Sequence, residues 1–229
     1  DKILKICSHD IDLAINIFTG VQFAELLKEE TDCDVSNFGV IAANPAQSKH
    51  LETACLKIHG IDLDISNLRS NEVYQSHSRI PEVEVGTPNG DFTMNSLFYN
   101  LNTQTIEDWT GRGYADLMNR RIVTPLDANT TYHDDPLRVL RAIRFGVRYN
   151  FTIESKDIIV DPEIRLSLST KVSRERIGIE LESMISGKNA RPVVALEMIH
   201  TLQLAPSVFH LPTEVQKDVW EQGHAYLQQ

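Results

Sequence analysis

The sequence predicts a chain in two parts: α/β up to about residue 130, then all-helical. Three observations predict this. Asp10-Ile11-Asp12-Leu13 and Asp62-Leu63-Asp64-Ile65 alternate acids with aliphatics, the period of a strand. Val21 to Glu30 carries Phe23, Leu26 and Leu27 at helical spacing between them. From Asp134 onward, helix-start signals and apolar helical periodicity recur, and strand alternation fades.

In chain order, Ile11 to Ile17 is predicted as a strand and Val21 to Glu30 as a helix. Phe38 to Ala42 and Leu56 to Leu68 read as strands, the second interrupted by Gly60. Glu72 to Gly90 holds Pro81, Gly86, Pro88, Asn89 and Gly90, and reads as a loop-rich connection. Phe92 to Leu101 mixes apolar residues with Asn95 and Asn100, the pattern of a helix passing into a strand. Ile106-Glu107-Asp108-Trp109 reads as a short strand before a turn at Gly111 and Gly113. Pro136 suits the first turn of a helix, with Asp134 and Asp135 at its N-terminal end, where negative charge is favoured. Asp161-Pro162-Glu163 and Ser173-Arg174-Glu175 are further helix starts, the second close to a capping box. Gly187 is expected to end the helix through Leu181 and Ile185, and Pro192 to Leu202 forms another.

Each acid pair would place its carboxylates on one sheet face and its aliphatics on the other. Such carboxylates repel one another unless a cation lies between them, and hard oxygen donors suit Mg²⁺. Two metals held this way can clamp the attacking and leaving oxygens of a phosphoryl transfer. Solvated polar strand faces would give the same pattern.

A second feature is Asp135-Pro-Leu-Arg138-Val-Leu-Arg141-Ala-Ile-Arg144-Phe-Gly-Val-Arg148. On a helix the four arginines fall within about 120° of one another, opposite Val139, Leu140, Ile143 and Val147. Few acids lie three or four residues away along the helix to neutralise them, so the stripe reads as phosphate-facing rather than merely solvated. Asp135 and Arg138 lie side by side. They can offer an acceptor and donors to a base edge, or form a plain intrahelical ion pair. Two acid pairs followed by an arginine-striped helix favour phosphate chemistry.

The bulk numbers set limits. The chain has 229 residues, 41% hydrophobic, enough for one large domain or two small ones. The formal charge of −10 does not suggest a nucleic-acid binder, although a local basic patch can act against the global sign. Cys7, Cys33 and Cys55 form no metal spacing and read as reduced thiols of an intracellular protein. No apolar run is long enough to cross a membrane, and no signal peptide opens the chain. The chain begins only a few residues before a strand and is expected to lack its natural N-terminus. His9, His50 and His133 form no ligand spacing and read as structural or surface residues, and Trp109 and Trp220 as core.

Several segments then stand in a recognisable order: Ser8-His-Asp-Ile-Asp-Leu-Ala14, Ser48-Lys-His-Leu-Glu-Thr-Ala54, Asp64-Ile-Ser-Asn-Leu-Arg69, Asp91-Phe-Thr-Met-Asn-Ser-Leu-Phe-Tyr-Asn100, Asp108-Trp-Thr-Gly-Arg-Gly-Tyr-Ala-Asp-Leu117, Asp134-Asp-Pro-Leu-Arg138 and Ser173-Arg-Glu-Arg176. From Asp1 to about Leu211 the chain resembles the class II tRNA nucleotidyltransferases, or CCA-adding enzymes, of the eukaryotic type. The resemblance implies an α+β fold, with a polymerase-β-like mixed-sheet nucleotidyltransferase head over residues 1–130 and an all-helical neck over 131–229. By that resemblance Asp10 and Asp12 hold Mg²⁺, and Asp64 is the third catalytic carboxylate, helping to activate the tRNA 3′-hydroxyl. The hydroxyl attacks the α-phosphate of CTP or ATP, and pyrophosphate leaves. Asp91 would contact the ribose 2′-hydroxyl, supported by Asn95. The segment from Asp134 would read the incoming base, with Asp135 and Arg138 pairing to its edge, and Arg141 and Arg144 would bind the triphosphate.

The chain departs from the family in two places. A Gly-Gly stretch and an Arg that precede the position of Asp1 in the family are absent. Asn89 and Gly90 stand where the family has two arginines. One lost guanidinium–phosphate contact would cost about 1.5–3 kcal/mol of nucleotide binding. The tRNA-holding body and tail are also expected to be missing. Expected partners are tRNA, CTP and ATP, with no membrane, and the expected compartments are cytoplasm, nucleus or mitochondrion. Alternatives within the enzyme class are an A-only or CC-only adder or a poly(A) polymerase. Outside it stands a non-catalytic RNA-binding relative.

Overall fold

The computed structural model describes residues 3, 10–15, 17–30, 35–42, 52–67, 91–153, 158 and 160–209. The loop-rich connection through Gly90, most of Ser48 to Ala54, and Arg69, Cys7, Cys33, His9, His50 and Trp220 lie outside these residues. The chain divides into two compact units, Asp1–Gly90 and Asp91–Gln229. This boundary falls earlier than the compositional shift near residue 130, because residues 91–130 pack with the helices that follow them.

In the first unit, β1 (Asp10–Ile15), α1 (Gly20–Glu30), β2 (Val35–Ile41), β3 (Thr53–Ile58) and β4 (Ile61–Asn67) follow in order. The sheet order is β1-β4-β3-β2, with β1 parallel to β4 and the remaining pairs antiparallel, so the sheet is mixed. Gly60 does not interrupt a strand. With His59 it forms the two-residue turn between β3 and β4, both residues having positive φ (49° and 79°) as a type I′ hairpin demands. A capping box starts α1: Gln22 N–H donates to the Thr19 hydroxyl (3.2 Å), and Thr19 N–H donates to the Gln22 side chain (3.0 Å). The apolar face of α1 covers one sheet face. Ala24 packs with Ala54, Leu56 and Ile65, and Leu13, Ile15, Phe23, Leu27 and Leu63 surround them.

The second unit opens with a single 3₁₀ turn, Thr93–Asn95, and the hairpin β5 (Leu97–Asn100) and β6 (Thr105–Asp108). The helices are α2 (Gly113–Met118), α3 (Ala128–Asp134), α4 (Leu137–Tyr149), α5 (Pro162–Thr170), α6 (Arg174–Ile185), α7 (Pro192–Thr201) and α8 (Ala205–Phe209). The predicted helix starts hold. Asp161 accepts from Ile164 N–H (2.7 Å) and Ser173 from Arg176 N–H (3.3 Å). Two expectations are corrected. Asp134 does not open α4 but ends α3, a helix capped at its other end by Asp127, which accepts from Thr130 N–H (3.1 Å). Trp109 is half-buried rather than core, its indole N–H donating to Glu107 (3.0 Å).

The core of this unit gathers Val139, Leu140, Ile143 and Val147 of α4 with Ile164, Leu168, Ile177, Met184, Ile199 and Leu204. Each such side chain contributes about 1.5–3 kcal/mol by leaving water. That burial fixes the rotation of α4, and so decides where its arginines point.

Candidate active site

Within the first unit, the candidate residues lie on the sheet face that α1 does not cover. Since Leu13, Ile15, Leu63 and Ile65 face α1, Asp10, Asp12, Asp62 and Asp64 share the opposite face. The parallel register sets Asp12 beside Asp64 and Asp10 beside Asp62, neighbouring strands lying about 4.8 Å apart. Lys57 on β3 pairs with Asp62 (3.1 Å). Cys55, in register with Asp64, has its thiol pushed up to about 12 by burial, with the hydrogen bond to Asp64 and that residue's negative charge adding to the effect. The thiol is therefore a neutral donor to Asp64, and carboxylates alone supply the anionic charge on this part of the face.

Among the described residues no three Asp, Glu, His or Cys side chains converge in a metal-holding group. The donor chemistry still suits Mg²⁺, because Asp12 and Asp64 present hard oxygens side by side from two strands, with Asp10 about 7 Å along from Asp12.

Within the second unit, the candidate residues gather on α4 and what it packs on. Asp91 is 3% exposed, and its carboxylate accepts from Arg141 Nε at 2.5 Å and from Asn95 Nδ2 at 2.9 Å. The fold thus joins three predicted residues, Asp91, Asn95 and Arg141. Arg144 Nε donates to Glu180 of α6 at 2.6 Å, and Glu180 also lies 3.6 Å from Arg141 Nη1. Its guanidinium sits 4.1 Å from the Phe145 ring centre, a cation–π contact, and Phe145 meets Phe92 edge-on.

These contacts correct the premise of an un-neutralised stripe. For Arg141 and Arg144 the balancing acids are Asp91 and Glu180, on other elements, rather than i+3 or i+4 neighbours. Attraction to these carboxylates outweighs burial and keeps the Arg141 guanidinium above its ordinary value. The Asp135–Arg138 ion pair is not formed either. Arg138, 5% exposed, bonds the Thr131 carbonyl (3.1 Å) and pairs with Asp134 (3.3 Å). Asp135 caps Leu137 N–H (3.1 Å) and receives Arg176 Nη2 (2.7 Å). Glu180 was invisible to sequence reasoning because it is one acid among several on an amphipathic helix, and only the crossing of α6 over α4 singles it out.

A four-stranded mixed sheet with in-register carboxylates on its open face, followed by a helical unit, defines a nucleotidyltransferase fold. A family model described as the Poly A polymerase head domain matches residues 1–123, more than half of the chain, and the chain belongs to that family. The chain is 44% identical over 223 residues to the mitochondrial CCA tRNA nucleotidyltransferase of Saccharomyces cerevisiae, covering 91% of this chain and 40% of that protein. It is 42% identical over 221 residues to the tRNA nucleotidyltransferase cca1 of Schizosaccharomyces pombe, covering 91% and 43%. A tRNA nucleotidyltransferase solved with a primer tRNA and an incoming ATP analog shares the fold, with a TM-score of 0.63 at 21% identity, over 96% of this chain and 60% of that one. The chain thus spans less than half the length of the two curated relatives. The family model's head closes near the compositional shift, whereas the compact units divide at residue 90.

Proposed function

We propose that this chain carries the nucleotidyl-transfer part of an enzyme that completes tRNA 3′ ends with C, C and A, taking them from CTP and ATP. The observation that carries this reading is the register of Asp12 with Asp64 on the open face of the mixed sheet. The 44% identity to a relative named for CCA addition supports the choice of reaction. In this reading residues to about 130 act as the head and the remainder as the neck.

Asp10 and Asp12 would hold Mg²⁺, which when bound offsets the negative charge that develops on the attacking and leaving oxygens. Asp64 accepts a hydrogen bond from the 3′-hydroxyl and orients it toward the α-phosphate. The new P–O bond forms there as the α-phosphorus–oxygen bond to the β-phosphate breaks, the hydroxyl proton passing to the Asp64 carboxylate and pyrophosphate leaving. Asp91, its carboxylate fixed by Asn95 and Arg141, accepts from the ribose 2′-hydroxyl. Arg141 and Arg144 donate to the triphosphate. Asp135 and Arg138, with Asp134 beside them, present an acceptor and donors to the base edge. The reaction belongs inside the cell, in whichever of cytoplasm, nucleus or mitochondrion the tRNA matures. Among the described residues no helix is long and apolar enough to cross a membrane.

The test is incorporation of labelled CTP and ATP by the full-length protein, with Mg²⁺, into tRNA lacking its 3′ CCA. Addition of C, C and A is expected. Asp12→Asn should lower it by roughly hundredfold or more, the scale seen when transition-state charge loses its stabilising group. Long tails from ATP alone would replace this reading with a poly(A) polymerase. Addition stopping at CC, or of A only, would assign a narrower adder. Bound tRNA without incorporation would leave an RNA-binding relative.

A further inference from the structure

Glu180 is a buried carboxylate that the reaction described above does not use. It is 4% exposed on α6, and it faces α4 rather than any partner on its own helix. One of its oxygens receives Arg144 Nε at 2.6 Å, and the other lies 3.6 Å from Arg141 Nη1. Arg141 is held at its own Nε by Asp91. Each of the two guanidinium groups is thus gripped at Nε, while a guanidinium has five N–H donors in a rigid fork. Arg144 is further fixed by the face of Phe145. One carboxylate therefore sets the orientation of two neighbouring forks, and a long flexible side chain held this way loses less freedom when an anion arrives.

We propose that Glu180 is a positioning residue for the incoming nucleotide, holding Arg141 and Arg144 in the orientation that receives its triphosphate. The inference rests on the assignment of those arginines to the triphosphate. Glu180 itself touches no substrate. Because it acts on the phosphates, CTP and ATP depend on it equally, and the choice between the bases does not.

The experiment is direct titration of CTP and of ATP into the full chain, for the wild type, Glu180→Gln, Arg144→Gln and the double variant, with a thermal melt on each. Glu180→Gln is expected to weaken both nucleotides by on the order of tenfold, the effect of one charge-assisted hydrogen bond. The double variant should lose less than the two single losses combined, because both changes act on the Arg144 fork, the remainder being the hold of Glu180 on Arg141. Glu180→Asp, which keeps the charge but withdraws it by one methylene, should fall between, and it carries the test should Glu180→Gln not fold. A lowered melting temperature with unchanged nucleotide affinity would reduce Glu180 to a structural role and overturn the proposal. So would losses that add fully in the double variant. A wild type that binds both nucleotides but adds none to tRNA would overturn the proposed function and leave Glu180 standing. A wild type that binds neither nucleotide would overturn both.

Discussion

Asp91→Asn removes one negative charge from the centre of the arginine network while keeping the shape and the acceptor for Asn95. The size of the effect follows from burial. Breaking a fully buried ion pair costs about 3–5 kcal/mol, whereas an exposed pair is worth about 0–1 kcal/mol. Here the carboxylate is 3% exposed, but the Arg141 side chain is 22% exposed and retains Glu180 at 3.6 Å. Those two features place the loss between the extremes, at about 2 kcal/mol. For a unit of this size that lowers the melting temperature by about 5–8 °C. The assay is chemical denaturation of the wild type, Asp91→Asn, Arg141→Gln and the double variant. The coupling energy of the cycle should exceed about 1 kcal/mol. Additive losses, with a coupling within about 0.3 kcal/mol of zero, would show that the 2.5 Å contact is no stronger than a surface pair, and the account of this network would fail.

Two further outcomes are expected. Gly20→Ala should destabilise the protein by about 1–3 kcal/mol in the same denaturation assay, because an added Cβ would collide with the Ile65 carbonyl where α1 crosses β4. Cys55, studied with Cys7 and Cys33 replaced by Ser, should label slowly with a thiol reagent until the pH approaches its raised value of about 12. In Asp64→Asn the onset should move to lower pH, since the negative charge that raises the thiol is gone; an unchanged onset would mean that burial alone sets it.

Much of the fold was legible because it depends on local chemistry. Period-two alternation marked β1 and β4, and Asp161 and Ser173 marked the starts of α5 and α6. The helix α3 was not legible, since Asn129, Thr130, Thr131 and His133 have weak helix propensity and no wide apolar stripe. Packing of Ala128 and Tyr132 into the core settles it instead. The turn at Gly60 is not legible in the sequence, because a hairpin turn inside one apolar run resembles a break in a single strand.

The candidate site divides along the same line. Sequence alone determined that Asp10 and Asp12 share a strand face, as do Asp62 and Asp64, and that four arginines share one side of a helix. Backbone periodicity fixes such relations within a few residues. Only the tertiary structure decided that Asp12 lies beside Asp64, since the register of two parallel strands far apart in sequence is set by which faces bury against α1. It also decided that Arg141 meets Asp91 and Arg144 meets Glu180, and that Asp135 turns to Arg176 rather than to Arg138. Those pairings join elements distant along the chain. Buried charges take whichever opposite charge the packing brings within reach, and helical spacing carries no record of that choice.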